Sequence, residues 1–495
     1  MEDCGILLMK LKKGSGILDD SELAFTSAIK LRELVATKQI SPVEVTENAL
    51  RRVDRLNPKL NAFLTVAADR ALQDAKRAEE DVIKKETLGP LHGVPTSIKD
   101  LLETEGIRTT KGSHIFRNRV PSKNDFLVDR IRNAGAIILG KTNTPEFGHG
   151  GGVTENRLAD FCRNPWNPEM VSGASSGGAA VSVATGINPI SHGTDGGGSI
   201  RVPASFCGVF GIMGTMGRVP RRNTGLISSN PVWFSQDGPL SRTVSDAALY
   251  LRVMSGPHIE ATGKGSLPEP AEGFLADISG SIKGLRIGWS PNLGSIPVEK
   301  DVAAICEKAV QRFETLGATV EDSGFILDIE EVSETFGVLT ATQDYINYGY
   351  LLAEHGEEMV SYVKQAIVTG KNTSAEVYAL ALARMERLRK YVRESFSRYD
   401  LLITPTLAVA PFPCGYRPEV IDGVKVPKMS GFYSMLYPFN MTGNPSASIP
   451  CGFTIDNLPV GLHLVGRKLD ELTIINASLA FEEAYPWAHL RPMAS

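Results

Sequence analysis

Sixteen of the 48 glycines in this 495-residue chain fall between Gly148 and Gly217. Glycine gathers where backbone must turn tightly or approach another group, because it carries no Cβ. The chain must therefore build irregular backbone inside that window, between whatever helices and strands surround it. Three groups stand out: Phe147-Gly-His-Gly150-Gly151-Gly152, Gly173-Ala-Ser175-Ser176-Gly177-Gly178, and Gly193-Thr194-Asp195-Gly196-Gly197-Gly198-Ser199-Ile-Arg201.

The surrounding sequence alternates helical and extended patterns. Ser41-Pro42-Val43-Glu44 carries a capping box with Pro at the first helical position, followed by Val45, Ala49, Val53 and Leu56 at helical spacing. Thr373-Ser374-Ala375-Glu376 reads as a second capping box before a long amphipathic helix. Short apolar runs at Ala136–Leu139, Leu285–Gly288, Leu401–Thr404 and Pro459–Val465 predict strands. This alternation predicts an α/β fold with helices on both faces of a sheet. A domain of about 150 residues is common, yet no linker, repeat or low-complexity stretch divides the chain. Residues 1–495 are therefore expected to form one domain, with a helical part over 20–88, a core over 89–250 and a helical region over 327–397 that caps a pocket.

Composition removes several functions. Hydrophobic residues make up 42% and charged residues 22%, ordinary for a globular protein. The net charge is −4 without a single-sign block, which argues against nucleic-acid or membrane-surface partners. Six dispersed cysteines and no HExxH spacing signal neither a disulfide framework nor a metal, so no cofactor is expected and a reducing cytoplasm fits. The run at Met1–Met9 is too short for a signal-peptide core. Met170–Thr194 and Met429–Ile455 lack Asp, Glu, Lys and Arg but are rich in Ser, Gly, Asn and Pro, which predicts loops and buried elements rather than membrane spans.

Two motifs point elsewhere. Gly135–Thr142 matches GxxxxGK[ST], but its apolar interior is itself a strand after the helical segment Phe126–Asn133, the reverse of a phosphate loop. Gly173-Ala-Ser175-Ser-Gly177 matches the nucleophile elbow of α/β-hydrolases, yet the prolines in Asn164–Val171 favour an irregular approach over a strand. His192 reads as a packed, hydrogen-bonded histidine more readily than a catalytic one.

Three glycines immediately before Ser199 offer N–H groups that can converge on one developing oxyanion, with Ser199 as the attacking group. A serine hydroxyl needs a base, and with no histidine well placed, lysine is the alternative. Lys99 in Gly93-Val-Pro-Thr-Ser-Ile-Lys-Asp-Leu-Leu has apolar neighbours that would favour its neutral form; the other reading is a solvated strand end.

These segments together resemble the amidase signature family. Gly93…Lys99-Asp100 is similar to its lysine motif, Gly173–Gly178 to its serine-rich stretch, and Gly193–Ser205 to its nucleophile motif, with Ser175 and Ser199 24 positions apart. The likeness extends through Gly140–Glu146, Gln236–Asp246 and Asn444–Gly466; Ala174 and Ala179 depart from the common glycine and serine. The resemblance implies an α/β/α sandwich around a large mixed sheet. It also implies Ser199 as nucleophile, Ser175 as a bridging serine on a cis peptide, and Lys99 as the ultimate base. Gly196, Gly197, Gly198 and Ser199 would hold the oxyanion. Ser176, Thr194, Asp195 and Arg201 would support the site, with an ordinary ion pair as the other account of Asp195 and Arg201. Gly150, Gly151 and Gly152 would approach the substrate through backbone.

The implied activity is hydrolysis of non-peptide amides, extending to esters and carbamates, by a monomer or homodimer acting on small molecules. One alternative is the glutaminase component of a tRNA-dependent amidotransferase, which needs an anionic contact for the glutamine amino group. Met429–Phe439 has no acid and offers an aromatic wall, including Tyr433 and Tyr437, that suits aryl substrates or simply packs the core. A second alternative is an esterase using Ser175. A silent scaffold is disfavoured because all three candidate groups are present.

Overall fold

The computed structural model describes residues 18–221, 234–259, 261, 266–268 and 277–493. The amino-terminal run Met1–Met9, with Cys4, lies outside them.

Among the described residues fifteen strands are formed. The first seven are β1 (Phe63–Val66), β2 (Pro95–Lys99), β3 (Ile137–Thr142), β4 (Glu155–Asn156), β5 (Asp160–Phe161), β6 (Ile190–Asp195) and β7 (Phe210–Met213). They are followed by β8 (Gln236–Ser241), β9 (Arg286–Trp289), β10 (Thr319–Asp322), β11 (Leu401–Pro405), β12 (Val420–Ile421), β13 (Val424–Lys425), β14 (Ser446–Phe453) and β15 (Pro459–Gly466). Eleven of them make one sheet in the order β1-β3-β2-β6-β8-β7-β14-β15-β11-β9-β10, while β4 with β5 and β12 with β13 form small ribbons. The sheet is mixed: β3, β2 and β6 run parallel, as do β11, β9 and β10, and antiparallel pairs join the rest. The last strands in sequence, β14 and β15, occupy the interior, one against β7 and the other against β11.

Alternation along the strands divides apolar side chains between two faces. Ile138, Leu401, Ile403 and Leu464 enter a core with the helices Phe126–Asn133, Val244–Met254, Lys300–Thr315 and Glu471–Ala484. Ile137 and Leu139 face the opposite way, onto the helices Pro42–Leu60 and Gly177–Ala184. On that same side, Leu402 and Val465 meet the helices of the 327–397 region and the aromatic segment around Phe432 and Phe439. The predicted sandwich, helices on both faces of a large mixed sheet, is the observed one.

Local chemistry explains most boundaries. Ser41 caps Pro42–Leu60 with both arms of its capping box formed, and Asn61 ends the helix in the left-handed conformation at φ 50°. The second expected box is corrected. Ser374, not Thr373, is the cap, its hydroxyl accepting from Val377 N, so Glu376 lies one position short of closing a box. The 20–88 segment holds four helices and also the strand β1, which pairs with β3 at the edge of the sheet. Residues 327–397 contain the helices Ile329–Tyr348, Leu352–His355, Ser361–Lys371 and Ala375–Ser395. Met170–Thr194 and Met429–Ile455 fold into loops, short helices and sheet strands, and among the described residues no helix is long and apolar enough to cross a membrane.

Candidate active site

The parallel ladder of β2 and β6 sets the first contact. Thr96 pairs with Ile190 and Ser97 with Ser191, so the register carried three residues on brings Lys99 beside Gly193 and Thr194. Both strand ends open at the carboxyl edge of the parallel segment, where α/β sheets bind ligands. Lys99 is not the solvated strand end that was one reading of it: the residue is fully buried.

Its amine meets hydroxyls and a carbonyl. Lys99 Nζ lies 2.7 Å from Ser175 Oγ, 2.9 Å from Ser176 Oγ, 2.7 Å from Thr194 Oγ1 and 3.4 Å from the Thr194 carbonyl oxygen. Burial drives its pKa well below the ordinary lysine value, against the pull of Asp195 and Asp237 and aided by Arg221. A neutral amine has two N–H donors and one lone pair. Ser176 spends its proton on the Thr194 carbonyl, 3.1 Å away, so it can only accept from Lys99. With the second N–H directed at Thr194 Oγ1, the lone pair is left for the Ser175 hydroxyl, and the group can take up the proton that Ser175 gives away.

Ser175 stands on the turn before the helix Gly177–Ala184, and the Ala174–Ser175 peptide is cis. Ser199 stands on the turn between β6 and the helix Arg201–Cys207. Ser176 N donates to the Ser199 carbonyl at 3.1 Å, holding the two turns together. Both serines, Thr194 and Gly196 to Gly198 line one cavity of ≈ 310 Å³.

The glycine loop is fixed from beneath by Asp195. Its carboxylate accepts from Gly198 N at 2.6 Å and Ile200 N at 3.1 Å, and is gripped by Arg201 Nε and Nη2 at 2.9 Å each. Burial opposes its charge, but Arg201, with Asn440 and the backbone donor of Ile200, holds the carboxyl below the usual carboxylate range. This corrects one expectation: the Gly198 N–H is committed to Asp195, which leaves those of Gly196, Gly197 and Ser199 as candidate oxyanion donors. Asp195 and Arg201 form the buried ion pair that was one account of them. Asn440 joins it by donating to Asp195 Oδ1 (2.9 Å) and accepting from Arg201 Nη2 (2.6 Å), and His463 Nε2 lies 3.0 Å from Arg201 Nη1. In the sequence Asn440 and His463 stand out only as parts of longer motifs.

Gly150, Gly151 and Gly152 line the cavity, and so does Tyr433. Gly152 sits at φ +78°, and a Cβ there would fall 2.1 Å from the Phe432 ring, so a side chain at this position is strained and must displace the ring. Tyr437 is corrected: it is absent from the lining and lies behind it, stacked on Phe336 with ring centroids 4.6 Å apart. The helix Ile329–Tyr348 supplies a wall that the motifs did not reveal. Phe336, Thr340, Gln343, Asp344, Asn347 and Tyr348 all line the cavity. Their spacing of four, three, one, three and one is that of a single helix face, the one signal that could have found them.

The decoy motifs resolve structurally. Lys141 is buried within β3, its amine on Leu102 O, Thr104 Oγ1 and Thr109 Oγ1, so the GxxxxGK[ST] match cradles nothing. No strand leads into Ser175; residues 164–172 have only isolated bridges at Val171 and Met170, and the α/β-hydrolase elbow is not formed. His192 is buried, with Nε2 2.8 Å from Asp237 Oδ1, away from the cavity lining. Among the described residues no group of three or more His, Cys, Asp or Glu could hold a metal ion.

A family model described as Amidase matches residues 44–475. The chain belongs to the amidase signature family. Within this family of amidohydrolases it is 33% identical to an acylamidase of Rhodococcus erythropolis, the match covering 97% of this chain and 99% of the relative. It is 35% identical to a glutamyl-tRNA(Gln) amidotransferase component of Moorella thermoacetica, over 95% and 99% of the two chains. A crystal structure of a bacterial aryl acylamidase of the amidase signature family superposes with a TM-score of 0.87 at 32% identity, covering 94% of this chain and 97% of that one.

Proposed function

We propose that this amidase signature protein hydrolyses aryl and alkyl amides of small acids through an acyl-enzyme, and that carbamates and esters enter the same site. The observation that carries the reading is the buried amine of Lys99, with no carboxylate among its hydrogen-bond partners in the described residues, 2.7 Å from Ser175. Ser199 attacks the carbonyl as its proton passes to Ser175 and the Ser175 proton passes to Lys99. The N–H groups of Gly196, Gly197 and Ser199 receive the oxyanion. The chain of hydroxyls then reverses, and Lys99 returns a proton through Ser175 to the departing amine, without which an amide would expel an amide anion. Water releases the acid. Ser176 and Thr194 hold Lys99, and Asp195 with Arg201 positions the glycine loop. Strands from residues 63 to 466 sharing one sheet support reading the chain as a single domain.

Aromatic lining supports an aryl group on one side of the scissile bond: Phe147, Phe234, Phe336, Tyr348 and Tyr433 surround the space. The test is peptide mapping after a fluorophosphonate probe, alongside hydrolysis of matched aryl amide, ester and carbamate substrates. A single adduct on Ser199 with amide turnover is expected; an adduct on Ser175, or no reaction with any of the three, overturns the reading.

The likeness to the amidotransferase component favours a second reading, glutaminase action. Against it, the one cavity carboxylate among the described residues, Asp344, is paired with His149 at 2.9 Å, and the 429–439 segment adds none. Ammonia release from glutamine exceeding anilide hydrolysis would support this second reading.

A further inference from the structure

A second cavity, of ≈ 350 Å³, shares no lining residue with the catalytic one, and its walls include Arg51, Arg52, Arg55, Arg491, Asp20 and Phe25. In a chain of net charge −4, four arginines meet there against one carboxylate. The helix Pro42–Leu60 brings three of them, and Arg51 and Arg55 stand one turn apart, a like-charge spacing that disfavours the bare helix. Arg491 comes from the carboxyl-terminal segment and lies over the Phe25 ring at 3.7 Å, with Arg52 over the same ring at 5.1 Å. Part of the cluster is structural. Arg242, also over Phe25, is buried and spends both arms of its fork on the carbonyls of Val183, Asn188, Ala24 and Thr26. Arg52 gives Nε and Nη2 to the carbonyl of Thr185, which closes the helix Gly177–Ala184.

The remaining arginines are not consumed in this way. Among the described residues Arg55 makes no hydrogen bond or ion pair, Arg491 uses only Nη1, on the carbonyls of Ala488 and Leu490, and Arg51 meets Asp20 at 3.2 Å where that carboxylate is 77% exposed to water. Arg51, Arg55 and Arg491 are exposed residues on the cavity wall, so a solute reaches them. Burial, then the charges of Arg55 and Arg491, pull the Arg52 pKa down to about 10 against the opposing pull of Asp20, and an anion set among these groups removes the repulsion. We infer that this cavity is a binding site for a soluble phosphate-bearing anion of at least two charges. Guanidinium forks arriving from the helix and from the carboxyl-terminal segment suit a tetrahedral phosphoryl group, whose oxygens point in several directions, better than a planar carboxylate. The concave shape suits a small molecule rather than a polymer or a bilayer surface.

The experiment titrates the full chain with inorganic pyrophosphate, and in parallel with citrate, by isothermal calorimetry at constant ionic strength, since screening weakens such contacts. Wild type is compared with Arg55→Gln and Arg491→Gln, which alter exposed side chains and leave the buried fork of Arg52 in place. Arg387→Gln removes the same charge from the helix Ala375–Ser395, where the side chain is 60% exposed and pairs with Glu331. Wild type is expected to bind pyrophosphate at one saturable site. Its Kd should rise about tenfold in Arg55→Gln and in Arg491→Gln, which corresponds to roughly 1.4 kcal/mol, and stay unchanged in Arg387→Gln. Pyrophosphate should also raise the melting temperature of wild type, and less so that of the two cavity variants. No saturable binding by wild type, an equal loss in Arg387→Gln, or an unchanged Kd in both cavity variants overturns the inference. Citrate binding more tightly than pyrophosphate overturns the phosphate assignment. The readout is binding rather than turnover, so failure here leaves the amide-hydrolase reading standing, and failure of that reading leaves this site untouched.

Discussion

Lys99 concentrates the chemistry at the residue scale. In the proposed mechanism the neutral form of Lys99 is the working one, so kcat/KM for an amide is expected to rise with pH through the depressed pKa and then level off. Lys99→Met is expected to lower kcat/KM by about 10²–10⁴-fold and to abolish the acid limb, read from a pH–rate profile. Stability carries the same signature. Between the depressed folded value and the ordinary 10.5, the unfolded chain binds the extra proton, so the free energy of unfolding rises with pH across that window. Urea titrations at several pH values are expected to show this rise in wild type and its loss in Lys99→Met. Asp195 makes a different prediction. Asp195→Asn leaves the fully buried Arg201 cation without its counter-charge and is expected to cost about 3–5 kcal/mol in chemical denaturation, an effect larger than an exposed ion pair would give.

Elements place these residues, and their boundaries are testable. Because Ser374 caps the helix Ala375–Ser395, Ser374→Ala is expected to destabilise by about 1 kcal/mol, whereas Thr373→Ala should leave the melting temperature nearly unchanged. The wall and the glycine loop are coupled through one contact. A methyl group at Gly197 meets the Phe336 ring at 2.7 Å, so Gly197→Ala is expected to reduce kcat/KM, and adding Phe336→Ala should restore part of the loss in a double-mutant cycle. How much is legible in the sequence follows from where information is stored. The Ser41 box, the apolar runs of β3, β9, β11 and β15, and the glycine loops are local patterns, and each reads close to its observed limits. Lys99, Ser175 and Ser199, the candidate catalytic groups, are readable for the same reason, as residues inside contiguous motifs. β1 escapes notice because four residues carry too little periodicity to announce a strand. The Gly198 donor is misassigned from sequence because its partner depends on how the loop turns back on Asp195, which spacing does not encode. Gln343 and Asp344 lie in a helix whose cavity-facing side is defined only by tertiary packing against Phe147 and Gly197.

At the scale of the whole molecule, the sheet is what brings Lys99, Ser175, Ser199, Asn440 and His463 together from distant parts of the chain. Its order joins one block, β1 to β8 by way of β3, β2 and β6, with β7 at its rim, to a second block of β11, β9 and β10. A chain ending at Thr442 keeps both blocks but lacks the strands that unite them, and is expected to sediment as aggregate when expressed, while the full chain stays in the supernatant. The arrangement also has a consequence in time. During synthesis at about 5–20 residues per second, roughly 10–40 s separate the emergence of β8 from that of β14. Throughout that interval the newborn protein carries an unpaired strand rim on β7, the kind of surface that recruits other chains. The strands that join the two blocks are therefore made after every other strand of the sheet, and the blocks stay unjoined until those strands arrive.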